Sequence, residues 1–137
     1  MGEKFVFGGL ISLIGFLLGG YDGMLIALLV LLSLDLFVGI GAAIINKQFS
    51  SKELINGIIK KIIILCMVAA AYWLDNVFCL ESPFIRSGAI IAFIIAESGS
   101  LFKNADRAGV TIPPFIINIL AEVKPEDYLK PGPKKTL

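Results

Sequence analysis

The sequence predicts an all-α integral membrane protein: a small bundle of four transmembrane helices (three in the alternative count) plus a short cytoplasmic amphipathic helix. Three observations predict it. Hydrophobic residues make up 57% of the 137 residues and charged residues 17%. An average soluble domain holds about 45–50% apolar residues with Gly included, and about 25% charged ones. A chain of this length leaves much of its surface exposed and has too few polar residues to cover it. Finally, the apolar residues fall in long runs that are apolar around the whole helical circumference, not along one stripe. The same composition excludes intrinsic disorder, which requires low hydrophobicity.

The first run covers residues 5–20, follows Lys4 and ends at the turn signal Gly19-Gly20-Tyr21-Asp22-Gly23. It is short against the roughly 20 residues that a span needs, which is why three spans is the alternative count. No small-residue cleavage site follows it, so it reads as a retained helix and not as a signal peptide. The second run, 24–45, is interrupted only by Ser33 and Asp35. The third, 58–78, carries Lys60 and Lys61 near its start and Asp75 near its end. The fourth, 84–102, carries Arg86 at its start and Glu97 inside.

A polar exit, Asn104 to Gly109, follows the fourth run. Pro113-Pro114 then suits a first helical turn, where proline's missing N–H is no loss. Phe115, Ile116, Ile119, Leu120 and Val123 form an apolar stripe opposite Asn118 and Glu122. Too short to span, this segment reads as an interfacial helix near 112–124. Lys130, Lys134 and Lys135 make a flexible basic end, with attraction to anionic lipid of about 1 kcal/mol per basic residue near the surface. The chain thus divides into a transmembrane domain, 1–103, and a cytoplasmic tail, 104–137.

Basic residues alternate in side. The N-terminus holds Lys4, the second connection Lys47 and Lys52 with Lys60 and Lys61 beyond, and the stretch from Lys103 to the end six Lys or Arg; the first and third connections hold mainly acids. The positive-inside rule then places both termini and the second connection in the cytoplasm.

The few charges within the spans are the candidate functional residues. An acid at the centre of a spanning helix costs about 2.5–3.5 kcal/mol on insertion scales, so Asp35 faces protein or water. Asp35 is eleven residues beyond Met24 and Glu97 ten beyond Ser87. At about 1.5 Å per residue both lie roughly 15 Å from the outer boundary, within reach of one layer or one aqueous path. Lys60 and Lys61 read as interfacial lysines that snorkel to the inner boundary. Asp75 and Arg86 fall at the outer boundary, where a solvated pair contributes little. Small residues recur at helical spacing: Gly15 and Gly19, Gly39 and Ala43, and Gly88, Ala92 and Ala96. Such positions let helix backbones approach in lipid, within one monomer or between copies.

Several classes are excluded or unsupported. The chain has no His and only two cysteines, Cys66 and Cys79, which read as buried small hydrophobes. No catalytic constellation, metal set or cofactor motif appears, so the reading is not an enzyme, with no cofactor. A net charge of +1 gives no nucleic-acid footprint.

Leu34-Asp35, Gly39, Ala42-Ala43, Ser50-Ser51-Lys52, Gly57-Ile58-Ile59-Lys60-Lys61 and Leu74-Asp75 occur in a characteristic order. Ala96-Glu97-Ser98, Asn104, Gly109 and Ile112-Pro113 continue it. The series, from Leu25 to Val123, resembles the phage holin family that includes the toxin-secretion holin-like proteins of clostridia. Lys103 departs from the family pattern, in which an acid often precedes the Asn. The resemblance implies a protein of the bacterial cytoplasmic (inner) membrane that forms homo-oligomers and opens a lesion at a set time. It also implies functional coupling to an endolysin or a secreted toxin, with no required direct contact. Two other readings compete: a small proton-coupled transporter or ion channel, and an antiholin-like regulatory subunit. Met24, at the head of the second run, offers a second start for the latter.

Overall fold

The computed structural model describes residues 1–123, which form five α-helices and no strand: α1 (Gly2–Leu18), α2 (Gly23–Ile45), α3 (Ser51–Val77), α4 (Phe84–Arg107) and α5 (Pro114–Val123). The basic end expected after residue 123, and the last residue of the expected interfacial helix, lie outside the described residues.

Local chemistry sets the boundaries. Gly19 stops α1 at φ 83°, its N–H returning to the carbonyls of Gly15 and Phe16. A side chain in this left-handed conformation would cost roughly 1–2 kcal/mol. Asp22 caps α2, its carboxylate accepting the Leu25 N–H at 2.9 Å. The third helix starts at Ser51, about two turns before its apolar run, with Glu53 in the first turn favoured by the helix dipole. Its extra turns alter the depth of every later residue. Gly109, at φ 90°, follows the end of α4, and Pro114 opens α5.

Among the described residues three helices, α2, α3 and α4, are long and apolar enough to cross a membrane, at 23, 27 and 24 residues. The 17 residues of α1 reach only about 26 Å against a hydrocarbon core of about 30 Å. The central element is α4, packed along α2 and against α3; α2 and α3 touch little, and α1 lies on α3.

The buried apolar cluster is Leu18, Leu25, Leu28, Leu32, Val68 and Ile90. All six lie in the half of the bundle nearer the α1–α2 corner. Phe37, Val30, Ile62 and Ile63 point outward, as lipid-facing side chains do when the solvent is itself apolar. Cys66 and Cys79 are exposed, not buried as composition suggested. For Cys66 the reason is that the outer face of a spanning helix already provides an apolar surrounding.

Candidate functional site

Three helices each contribute one charge to a cluster in the middle of the bundle. Asp35 of α2, Lys61 of α3 and Glu97 of α4 each lie about ten residues from Ile45, Ser51 and Arg107, the ends that share one side of the bundle. At about 1.5 Å per residue this is roughly 15 Å in from that side. The Lys61 ammonium donates to Asp35 Oδ2 at 2.8 Å and to Glu97 Oε2 at 2.7 Å. Asp35 Oδ2 also accepts from Ser100 Oγ at 3.1 Å, and Oδ1 accepts from Asn104 Nδ2 at 2.9 Å. Arg107 Nη1 in turn donates to Asn104 Oδ1 at 3.2 Å. Glu97, Ser100 and Asn104 recur at helical spacing, so one face of α4 carries this ladder.

The cluster joins Asp35 and Glu97 in one layer, as their sequence depths suggest, but through Lys61. Lys61 is not a snorkelling interfacial residue: because α3 begins at Ser51 and not at 58, it sits two turns deeper than the apolar run implied. Lys60, its neighbour, is exposed. A sequence signal for the missed partners existed in the polar positions 97, 100 and 104 on one helical face. Two carboxylates share one ammonium, and their side chains retain only 8–16% exposure. Among the described residues no buried polar side-chain atom lacks a hydrogen-bond partner, so the desolvation cost of the charges is offset by a satisfied network.

A second cluster closes the opposite end. Asp75 and Arg86 are buried, at 4% and 2% exposure, and are not a solvated pair. The Asp75 carboxylate accepts the backbone N–H groups of Ile85 and Arg86, both at 2.8 Å, and so caps the first turn of α4. The Arg86 side chain turns the other way. Its Nε donates to the Leu18 carbonyl at 2.7 Å, Nη2 to the Gly20 carbonyl at 3.0 Å, and Nη1 to the Asp22 carboxylate. That hydrogen bond from Arg86 holds the Asp22 carboxyl below its ordinary range, against a smaller opposing effect of desolvation. Arg86 thus pins the α1–α2 corner to α4.

The small residues divide by use. A Cβ on Gly15 would meet the Tyr21 ring at 2.5 Å, and one on Gly19 the Tyr72 ring at 2.5 Å. Within the chain these glycines seat aromatic rings, which are the nearest neighbours of each added Cβ. Gly39 leaves room for Asn104, whose Nδ2 would be 3.2 Å from an added Cβ. Ala43 lines the groove between α2 and α3. Gly88 is exposed with nothing within 4 Å, and Ala92 and Ala96 are half-buried on α4. Among the described residues no group of three or more His, Cys, Asp or Glu side chains is placed to hold a metal ion.

Three long apolar helices with a paired charge cluster at mid-depth define a polytopic membrane protein. The sequence profile of the bacteriophage holin family matches residues 12–125, and the chain belongs to that family. The match starts within α1, so it reaches further towards the N-terminus than the motif series that begins at Leu25. An uncharacterized protein of Halalkalibacterium halodurans is 32% identical over 76% of this chain and 80% of its own length. One of Bacillus subtilis is 24% identical over 88% of this chain and 90% of its own. One of Clostridium perfringens is 27% identical over 87% and 88%. No solved structure matches the chain.

Proposed function

We propose that this protein is a holin: it oligomerises in the bacterial cytoplasmic membrane and opens a lesion at a set time. The lesion releases an endolysin, and so lyses the host, or releases a large toxin. The observation that carries the reading is the holin-family match across residues 12–125 of a chain with three spanning helices. Such an action requires no catalytic residue. It requires helices that associate and polar groups kept away from lipid until assembly, and the Asp35–Lys61–Glu97 cluster supplies such groups inside the bundle. Loss of membrane potential, or a critical density, shifts the population to an open oligomer in which these charges line water that is continuous across the membrane. Residues 1–103 form the membrane-embedded part, in which α1 crosses as a fourth, short span, so that both termini and the α2–α3 connection face the cytoplasm.

The test is induction in bacteria with and without a cytoplasmic endolysin. Sudden lysis that an energy poison advances, seen only with the endolysin, is the expected result. The mid-membrane charges also favour a second reading, a small proton-coupled transporter or channel. Drug resistance or steady ion leak without lysis in the same experiment replaces the holin reading with that one. Asp35→Asn combined with Glu97→Gln is expected to shift the time of lysis. Unchanged timing removes these acids from the trigger.

A further inference from the structure

The charge cluster is not sealed on all sides. A groove of about 390 Å³ runs from the α2–α3 connection to the cluster, between α2 and α3 and floored by α4. It exists because α2 and α3 touch little and because Gly39, Ala43 and Gly57 leave its walls without bulk. Polar groups line its length: Ser50 and Glu53 at the mouth, Arg107 and Asn104 below, then Ser100 and the cluster itself. Lys61, Asp35 and Glu97 keep 16%, 8% and 10% side-chain exposure, and all three line the groove. Beyond the cluster the path ends. Leu25, Leu28, Val68 and Ile90 are 0% exposed and Leu32 is 5% exposed, and Arg86 ties the far end shut.

We propose that this groove is a one-sided aqueous vestibule, filled by water in the single, unassembled chain and opening only on the side of the α2–α3 connection. Charged side chains at membrane depth are stable where they face a water-filled cavity. An acyl chain lying in the groove would instead press hydrocarbon against an ammonium and two carboxylates. The polar lining therefore favours water over lipid. The apolar half beyond the cluster then forms the whole barrier, so most of a transmembrane potential falls across it. The inference does not depend on the holin reading, because it concerns the single chain in the membrane.

One-sided thiol labelling tests it. The full-length chain with Cys66→Ala and Cys79→Ala is the background. Single cysteines are placed in the groove, Ser100→Cys and Gly57→Cys, on the lipid-facing surface, Phe37→Cys, and in the apolar half, Leu28→Cys. A membrane-impermeant, charged methanethiosulfonate is applied to right-side-out and to inverted vesicles. Only the thiolate reacts, and thiolate forms only where water reaches, so groove positions are expected to react at least about tenfold faster than Phe37→Cys and Leu28→Cys. They are expected to do so in one vesicle orientation alone, the one in which Lys47→Cys, on the α2–α3 connection, also reacts. Gly57→Cys makes only ordinary contact with Leu36 and guards against a Ser100 variant that disturbs the Asp35 bond. Slow labelling of both groove positions means a lipid-filled groove and overturns the proposal. Labelling from both sides means a continuous pore in the resting chain and overturns it as well.

Discussion

Lys61 donates to carboxylates on two different helices, and this makes it the most consequential single side chain in the bundle. Lys61→Met leaves Asp35 and Glu97 facing each other without a counter-ion. Removing one partner of a buried pair is expected to lower stability by about 3–5 kcal/mol. Thermal unfolding in detergent micelles and the yield of inserted protein measure it. The neutral triple variant, Asp35→Asn, Lys61→Met and Glu97→Gln, is expected to recover most of that loss, because no uncompensated charge remains. At the other end, Asp22 sets a pH dependence. Its carboxyl is held below the ordinary value of 3.8 by the Arg86 hydrogen bond. A depressed carboxyl stabilises the fold above its unfolded value, and the contribution fades as pH falls from there through the folded value. Unfolding curves across that acid window are expected to show a component that Asp22→Asn abolishes, with no effect of the variant on the slope near neutrality.

Among the helices, α1 shows how a boundary glycine and an aromatic ring act together. Gly19 stands at φ 83°, and an added Cβ would lie 2.5 Å from the Tyr72 ring. Gly19→Val is expected to destabilise by at least about 1–2 kcal/mol from backbone conformation alone, before the ring is displaced. Gly88, inside α4 with open space around it, gives the opposite outcome. Gly88→Ala is expected to be neutral, or to gain up to about 1 kcal/mol from helix propensity. Melting temperatures of the two variants in one detergent separate the roles. In the sequence the two glycines looked alike, as members of small-residue stripes. Neither the left-handed backbone at Gly19 nor the Tyr72 ring beside it shows in residue spacing. The helix boundaries were better marked, by Asp22, Gly19, Gly109 and Pro114. The start of α3 was the exception. An apolar run at 58 hid a polar first two turns, and Lys61 was therefore placed too near the membrane surface.

Across the whole molecule, one end is an apolar plug with an arginine clasp and the other half holds a polar groove. The clasp ties the chain's first segment to its last span. A product started at Met24 would lack the Leu18 and Gly20 carbonyls and the Asp22 carboxylate, which are the Arg86 side chain's partners. Such a form is expected to be destabilised by about 3–5 kcal/mol, as for any buried charge stripped of its partners. Its half-life after translation arrest, compared with that of the full chain, measures this. Equal half-lives would show that α1 is dispensable to the bundle.

Hydropathy and run length alone determined that the chain is helical and borne by a membrane, with four spans, or three if its short first run does not cross. They also determined that Asp35 and Glu97 share one depth. These properties are local: residue type fixes transfer free energy, and 1.5 Å per residue fixes depth. Only the tertiary structure decided which charge meets which. Lys61 serves both acids, Arg86 bypasses Asp75 for Asp22, and Asp75 caps α4 through its backbone. Partnership between helices depends on their rotation and register, which linear spacing does not encode. It is set where the side chains of α4 pack simultaneously against α2 and α3.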